Sequence, residues 1–179
     1  MKTILFILVS LILVPNASFS QKIIINGENT QRKLVWSDFI GKVDKGTSFL
    51  AYTSYRITPK YEDVKVVGDS ISIGKFEIAV EFDAKNSWAK QDKVSDELLI
   101  HEQGHFNIGI LYMREVLAVY KKTRFNKSNF SSSIQNIMND AFKKYNTMGV
   151  TYDTETDHSK NNEQQKKWNL FFEEKLKEI

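Results

Sequence analysis

The most regular pattern in the chain is an alternation. Phe76, Ile78, Val80 and Phe82 interleave with Lys75, Glu77, Ala79 and Glu81. A period of two puts one set on each face of a strand, so this segment reads as a strand with one buried and one mostly solvated face. Ser48 to Ile57 alternates similarly, with Phe49, Ala51, Thr53, Tyr55 and Ile57 on one side. Pro59 is expected to end that strand. Asp63–Val67, Gly68-Asp69 and Ser70–Ile73 read as a hairpin, and Gly74 as another turn. Upstream, the isoleucine-rich run Lys22–Asn26 ends at Gly27 and reads as a short strand; Leu34 to Phe39 follows, punctuated by Gly41. The N-terminal half is expected to form a small, largely antiparallel sheet.

Beyond Asp83 the character changes. Ala84 to Val94 reads as a polar loop carrying Trp88. Leu98, His101, His105, Ile108, Tyr112 and Val116 then share a stripe at helical spacing, behind Ser95 as N-cap and Asp96 and Glu97 in the first turn. This predicts a helix to about Lys122. Gly104 and Gly109 each weaken it by about 1 kcal/mol relative to alanine; close approach of backbone or substrate and tight packing are the two reasons to keep them. A second helix is expected over about Ser131–Asn146, with Ile134, Met138, Ala141, Phe142 and Tyr145 on its core face and Gly149 at its end. Val150–Ser159 is expected to be a polar loop. A last helix, about Asn162–Lys177, carries Trp168, Phe171, Phe172 and Lys175 near one stripe. The class is α+β: a small sheet, a long helix, then two further helices.

With 179 residues, 41% hydrophobic, the chain can bury one real core, and Gln21–Ile179 is read as a single domain. The net charge of +3 is mild, and no basic block argues for nucleic acid. Lys2, the apolar run Ile4–Val14 broken only by Ser10, then Pro15-Asn16 and Ser18-Phe19-Ser20 fit a secretory signal cleaved before Gln21. The mature protein is therefore expected in the periplasm or outside the cell, without stable membrane insertion. The absence of cysteine excludes disulfides and leaves His, Asp, Glu or Tyr as metal ligands.

Two of the three histidines fall in His101-Glu102-Gln103-Gly104-His105, the pattern H-E-x-x-H. Residues four apart share a helix face, so both imidazoles can reach one Zn2+, with Glu102 beside them as general base for a water. A sheet followed by such a helix is zincin-like. The extended pattern H-E-x-x-H-x-x-G-x-x-H is not met, because residue 108 is Ile and residue 111 is Leu. The third ligand must come from elsewhere. His158 is the only remaining histidine; Glu155, Asp153 and Asp157 are alternatives in the same segment, and Glu163 is a more distant one.

His101 to Phe106, preceded by Leu98-Leu99-Ile100, resembles the core motif of a bacterial domain-of-unknown-function family described as predicted secreted zinc-dependent proteases. Leu34 to Phe39, Phe82-Asp83, Ser87-Trp88, Tyr152-Asp153 with Thr156 and His158, and Gln165 with Trp168 extend the likeness over nearly the whole mature chain. Ser159 stands where glycine is expected after the late histidine.

The expected function is a secreted zinc-dependent peptidase acting on a protein or peptide substrate. Glu102 takes a proton from the attacking water and passes it to the leaving amine. Tyr152 is a candidate for steadying the oxyanion, and Asp153 or Asp157 for orienting a ligating imidazole. The strand Phe76–Phe82 is expected to line the cleft and pair with extended substrate, and Trp88 to wall the cleft or close the core. Two alternatives stand beside this: a zinc amidase on an envelope peptide, and a zinc-stabilised, non-catalytic envelope-binding module.

Overall fold

A computed structural model describes residues 17–177. Residues 1–16 of the expected signal lie outside them; Ser18–Ser20 lie within the first strand.

That strand, β1 (Ser18–Ile25), turns at Asn26-Gly27, both with positive φ, into β2 (Glu28–Asn29). An Asn-Gly pair suits a tight hairpin because both positions tolerate left-handed backbone. β4 (Tyr55–Val67) and β5 (Ser70–Phe82) form a long antiparallel hairpin closed by Gly68-Asp69, with Tyr55 opposite Phe82 and Val67 opposite Ser70. β1 lies parallel to β5, Ile23 opposite Val80. The order is β2-β1-β5-β4, and the sheet is largely antiparallel as expected, with β1–β5 its one parallel pairing among the described residues.

Two punctuation expectations fail here. Pro59 sits inside β4, paired with Ile78; β4 is an edge strand, where a missing N–H can face away from the ladder. Gly74 lies inside β5 rather than at a turn. It faces Asp63, which has a φ of 56°, and a Cβ at Gly74 would come within 2.8 Å of the Asp63 Cβ. The Ser48–Ile57 segment is also divided: β3 (Ala51–Tyr52) pairs with β6 (Trp88–Ala89) in a separate two-stranded sheet, and Thr53-Ser54 separate it from β4.

α1 (Asp96–Lys122) follows the expected bounds, with the Leu98 N–H donating to Ser95 Oγ at 3.2 Å. It runs through the core between the sheet and the other helices. Phe76, Ile78, Val80 and Phe82 are buried together, with Phe76 stacked on Tyr120 at 3.6 Å and Phe82 edge-on to Phe106 at 5.8 Å. Each such side chain contributes roughly 1.5–3 kcal/mol. β7 (Phe125–Asn126) then pairs with the start of β5.

α2 (Phe130–Thr156) departs most from expectation. It continues ten residues past Asn146, straight through Gly149, so Val150–Thr156 is helix and not loop. Ala141 and Tyr145 are buried as expected, but Phe142 is 57% exposed. α3 (Asn162–Lys177) matches its expected bounds, and Phe172 reaches Tyr152 at 5.7 Å. Among the described residues, no helix is long and apolar enough to cross a membrane.

The segment Leu34–Phe39 forms a short 3-10 turn over Trp36–Asp38. Its buried Asp38 accepts two bonds from the Arg32 guanidinium at 2.7 Å, one from Asn26 Nδ2 at 2.8 Å and one from the Val35 N–H at 2.9 Å. Burial works against charge on this carboxyl, and the Arg32 bonds outweigh it, holding its pKa below the ordinary value. The Leu34 N–H donates to Gln103 Oε1 at 2.7 Å, which docks this turn on α1 inside the H-E-x-x-H motif.

Candidate metal centre

α1 presents His101 and His105 on one face, as residues four apart must be. α2 brings Asp153 against them. Asp153 Oδ1 lies 3.1 Å from His101 Nε2 and 3.0 Å from His105 Nε2. His158, on the turn after α2, places its Nδ1 3.4 Å from the same oxygen. All three histidines of the chain therefore converge on one carboxylate. Asp157, His158 and Ser159 all have positive φ, and this left-handed run carries His158 back over the end of α2. Such backbone is uncommon without glycine and is kept where the surrounding structure demands it. Phe49 packs on the His158 ring at 5.0 Å from the outer side.

The spacing of these atoms bears on whether they suit a metal. The donor atoms of His101, Asp153 and His158 lie within 4.8 Å of one another. Ligands bound at about 2.0–2.2 Å to a tetrahedral ion stand about 3.3 Å apart. Each imidazole stands 3.0–3.4 Å from Asp153 Oδ1, the nitrogen–oxygen spacing of ligands that share an ion; the donors that also lie close to one another are those of His101, Asp153 and His158, a grouping without His105. His101 is buried, His105 and Asp153 are partly so, and His158 is 44% exposed at its side chain.

Electrostatics at the cluster follow from this convergence. Burial penalises charge on Asp153, but the bonds from His101 and His105 outweigh it and bring its pKa well below the ordinary carboxylate range. Burial likewise opposes charge on His105; its bond to Asp153 and the fields of Glu102 and Asp153 outweigh that, and its pKa is raised.

Glu102 projects from the same helix and is 3% exposed. Its Oε2 accepts a 2.6 Å bond from Thr53 Oγ1, which lies between β3 and β4. Sequence reasoning placed Thr53 on a strand face and gave it no role; its alternation with apolar neighbours concealed a polar contact.

A second layer holds His101. Gln165, from α3, donates through Nε2 to the Tyr152 hydroxyl at 2.8 Å and to Asn169 Oδ1 at 2.9 Å. Its Oε1 therefore faces His101 Nδ1, 3.2 Å away, as an acceptor. Without a metal, Nε2 donates its N–H to the Asp153 carboxylate; a bound ion would take the place of that proton, and the Gln165 acceptor would keep the other proton on Nδ1. Thr156 Oγ1, which donates to the Tyr152 carbonyl at 2.7 Å, lies 3.3 Å from the same Nδ1.

Tyr152 is fully buried and stacks on the His101 ring at 4.7 Å; its hydroxyl donates to the His101 carbonyl at 3.0 Å. That placement corrects its expected role at an oxyanion: the hydroxyl is held inside the core and locks α1 to α2. Of the other candidates, Glu155 accepts from Trp168 Nε1 at 2.7 Å on the outside of the helices. Asp157 caps the end of α2, and Glu163 pairs with Lys167 at the surface. Trp88 is buried, with its ring 6.4 Å from that of Tyr52. β5 is paired on both sides, to β1 and β4, so the strand expected to bind substrate has no free edge there.

The fold and this cluster define an α+β protein with a histidine–carboxylate centre built on an H-E-x-x-H helix. The chain belongs to the bacterial family of unknown function DUF922, whose model matches residues 40–159, taking in every member of the cluster. No curated protein and no solved structure matches it.

Proposed function

We propose that the protein is a zinc-dependent hydrolase of peptide bonds, acting outside the cytoplasm after removal of its signal. The observation that carries this reading is the meeting of three imidazoles on Asp153 Oδ1, with the buried carboxylate of Glu102 supplied by the same helix. His101, His105 and Asp153 would hold the ion, with His158 as a more exposed fourth donor. Such an ion supplies a Lewis acid and lowers the pKa of water from about 15.7 toward about 7. Glu102 accepts the proton of the attacking water at Oε1 and delivers it to the leaving amine. Thr53 keeps that carboxylate from turning away, and Gln165 keeps the His101 lone pair on Nε2.

A second reading has its own support. Four protein donors around one point are what a closed, structural zinc site has, and this favours a zinc-stabilised envelope-binding module. The two separate in one experiment. Protein from Gln21 onward is loaded with zinc and offered a broad peptide library with and without chelator, beside Glu102→Gln. The hydrolytic reading expects cleavage that chelator and Glu102→Gln each abolish while Glu102→Gln keeps stoichiometric zinc. Zinc binding with no cleavage of any peptide overturns it in favour of the module.

A further inference from the structure

A cavity of about 330 Å³ opens beside the proposed base. Tyr52, Tyr55 and Ile57 form one wall, Phe142 and Asn146 from α2 form the other, and Tyr112 from α1 closes the floor. None of the lining residues carries a charge. Thr53 belongs both to this lining and to the centre, because its hydroxyl holds Glu102. The cavity and the cluster are thus joined through one residue.

Two helices give the distance. Tyr112 lies seven residues beyond His105 on α1, and Asn146 lies seven before Asp153 on α2. At 1.5 Å per residue, both displacements are about 10 Å. Between Asn146 and Asp153 stands Gly149, where a Cβ would meet only open space. No side chain at that position stands between the cluster and the cavity along α2. An extended peptide advances about 3.3 Å per residue, so 10 Å is about three residues.

The mouth of the cavity is unusual for a folded surface. Phe142 is 57% exposed although it sits on the helix face expected to enter the core, and Tyr52 is 50% exposed. The lining mixes aromatic rings with polar groups, and large aromatic side chains left open around a concave site are what a bound aromatic group would cover.

We infer that this cavity is a specificity subsite for a bulky apolar side chain, aromatic foremost, about three residues from the bond that is cut. The inference rests on the peptide-hydrolysis reading for its register, but the binding it describes does not need the reaction. Asn146 offers an amide to the peptide backbone, and the Tyr55, Tyr112 and Phe142 rings offer edge and face contacts to an aromatic guest.

Two measurements keep the two readings apart. Zinc-loaded Glu102→Gln protein is titrated by calorimetry with end-capped octapeptides of glycine, alanine and serine that carry one phenylalanine, leucine, lysine or no guest. The phenylalanine peptide should bind at least about tenfold more tightly than the guest-free peptide, a typical return for burying an aromatic side chain against other rings. Introducing Phe142→Asp should erase that preference and favour the lysine peptide, with the guest-free peptide unchanged as the control for folding. Cleavage of the phenylalanine peptide by the unsubstituted protein should fall two to four residues from the guest. Equal affinity for all guests, a preference untouched by Phe142→Asp, or no binding of any peptide overturns the subsite. Normal selective binding without cleavage overturns the hydrolytic reading alone.

Discussion

The ring of Tyr152 occupies the space that a side chain on residue 104 would need. A Cβ at Gly104 would overlap the tyrosine hydroxyl and ring, and that hydroxyl donates to the carbonyl of His101 on the same turn of α1. The glycine in H-E-Q-G-H is therefore a packing requirement that sets the separation of α1 and α2 at the centre. Gly109 plays the same part toward the Tyr55 ring, 2.8 Å from where its Cβ would be.

Gly104→Ala is expected to destabilise the protein by about 2–3 kcal/mol, since the overlap is with a fully buried ring. Gly149→Ala has the opposite expectation. Its Cβ meets nothing, so removing a helix-interior glycine should stabilise by about 0.5–1 kcal/mol. Urea midpoints of the two variants decide it; equal shifts in one direction would refute the argument.

Thr53→Val keeps the shape of the side chain and removes the donor to Glu102 Oε2. A buried carboxylate that loses a partner should cost about 1–3 kcal/mol. On the proposed reading kcat falls by roughly 10–100-fold with zinc affinity unchanged, and Thr53→Ser restores it. Loss of zinc in step with activity would show that Thr53 serves the fold alone.

Gln165→Leu removes the acceptor for His101 Nδ1 and should weaken zinc binding by about 10–100-fold, whereas Gln165→Glu keeps an acceptor and should lose less. Competition with a chromophoric chelator reads both. Equal affinities for the two variants would exclude orientation of His101 as the role of this residue.

Without metal, the cluster makes stability depend on pH in a defined direction. The Asp153 pKa is depressed, so its contribution is complete above the unfolded value of about 3.9 and fades as pH falls through the folded value. The His105 pKa is raised, so its contribution is complete below the unfolded value of about 6.5 and fades as pH rises through the folded value. Both are in force between about pH 4 and 6.5. Chelator-treated protein should gain from this cluster most in that window, and Asp153→Asn should remove about 1 kcal/mol there. Thermal melts across pH 3–9 compare the two proteins, and parallel curves would contradict the assignment.

Asp38→Asn leaves Arg32 without its bidentate partner and should cost about 2 kcal/mol by denaturant unfolding. A shift within error would mean that the turn over Trp36–Asp38 is held by its apolar contacts.

The bounds of α1 and α3 were legible because cap, period and charge agree along them. Asp153 entered the sequence reading only as an alternative in a loop. Thr147, Gly149, Val150, Thr151, Asp153 and Thr154 are weak helix formers, and nothing local favours helix there. What holds it is tertiary: Tyr152 buried against Gly104, and Thr156 and Asp153 bonded to His101. The carboxylate at the heart of the centre was obscured for the same reason that the helix was. Pro59 misled differently, because a proline's effect depends on which side of a strand lacks a neighbour. Phe142 fell on the expected core stripe; it lines an open cavity with Tyr52 and Thr53 instead, a tertiary arrangement that no periodicity encodes.

The parallel pairing of β1 with β5 sets an order of events in folding. Ile23 and Val80 are partners across more than fifty residues, whereas β4 and β5 meet across a two-residue turn. Closing the short loop is fast, and closing the long one waits on it. The hairpin is thus the template and β1 the late addition. Substitutions such as Ile23→Val should then act on the rate of unfolding, and those at the β4–β5 turn on the rate of folding.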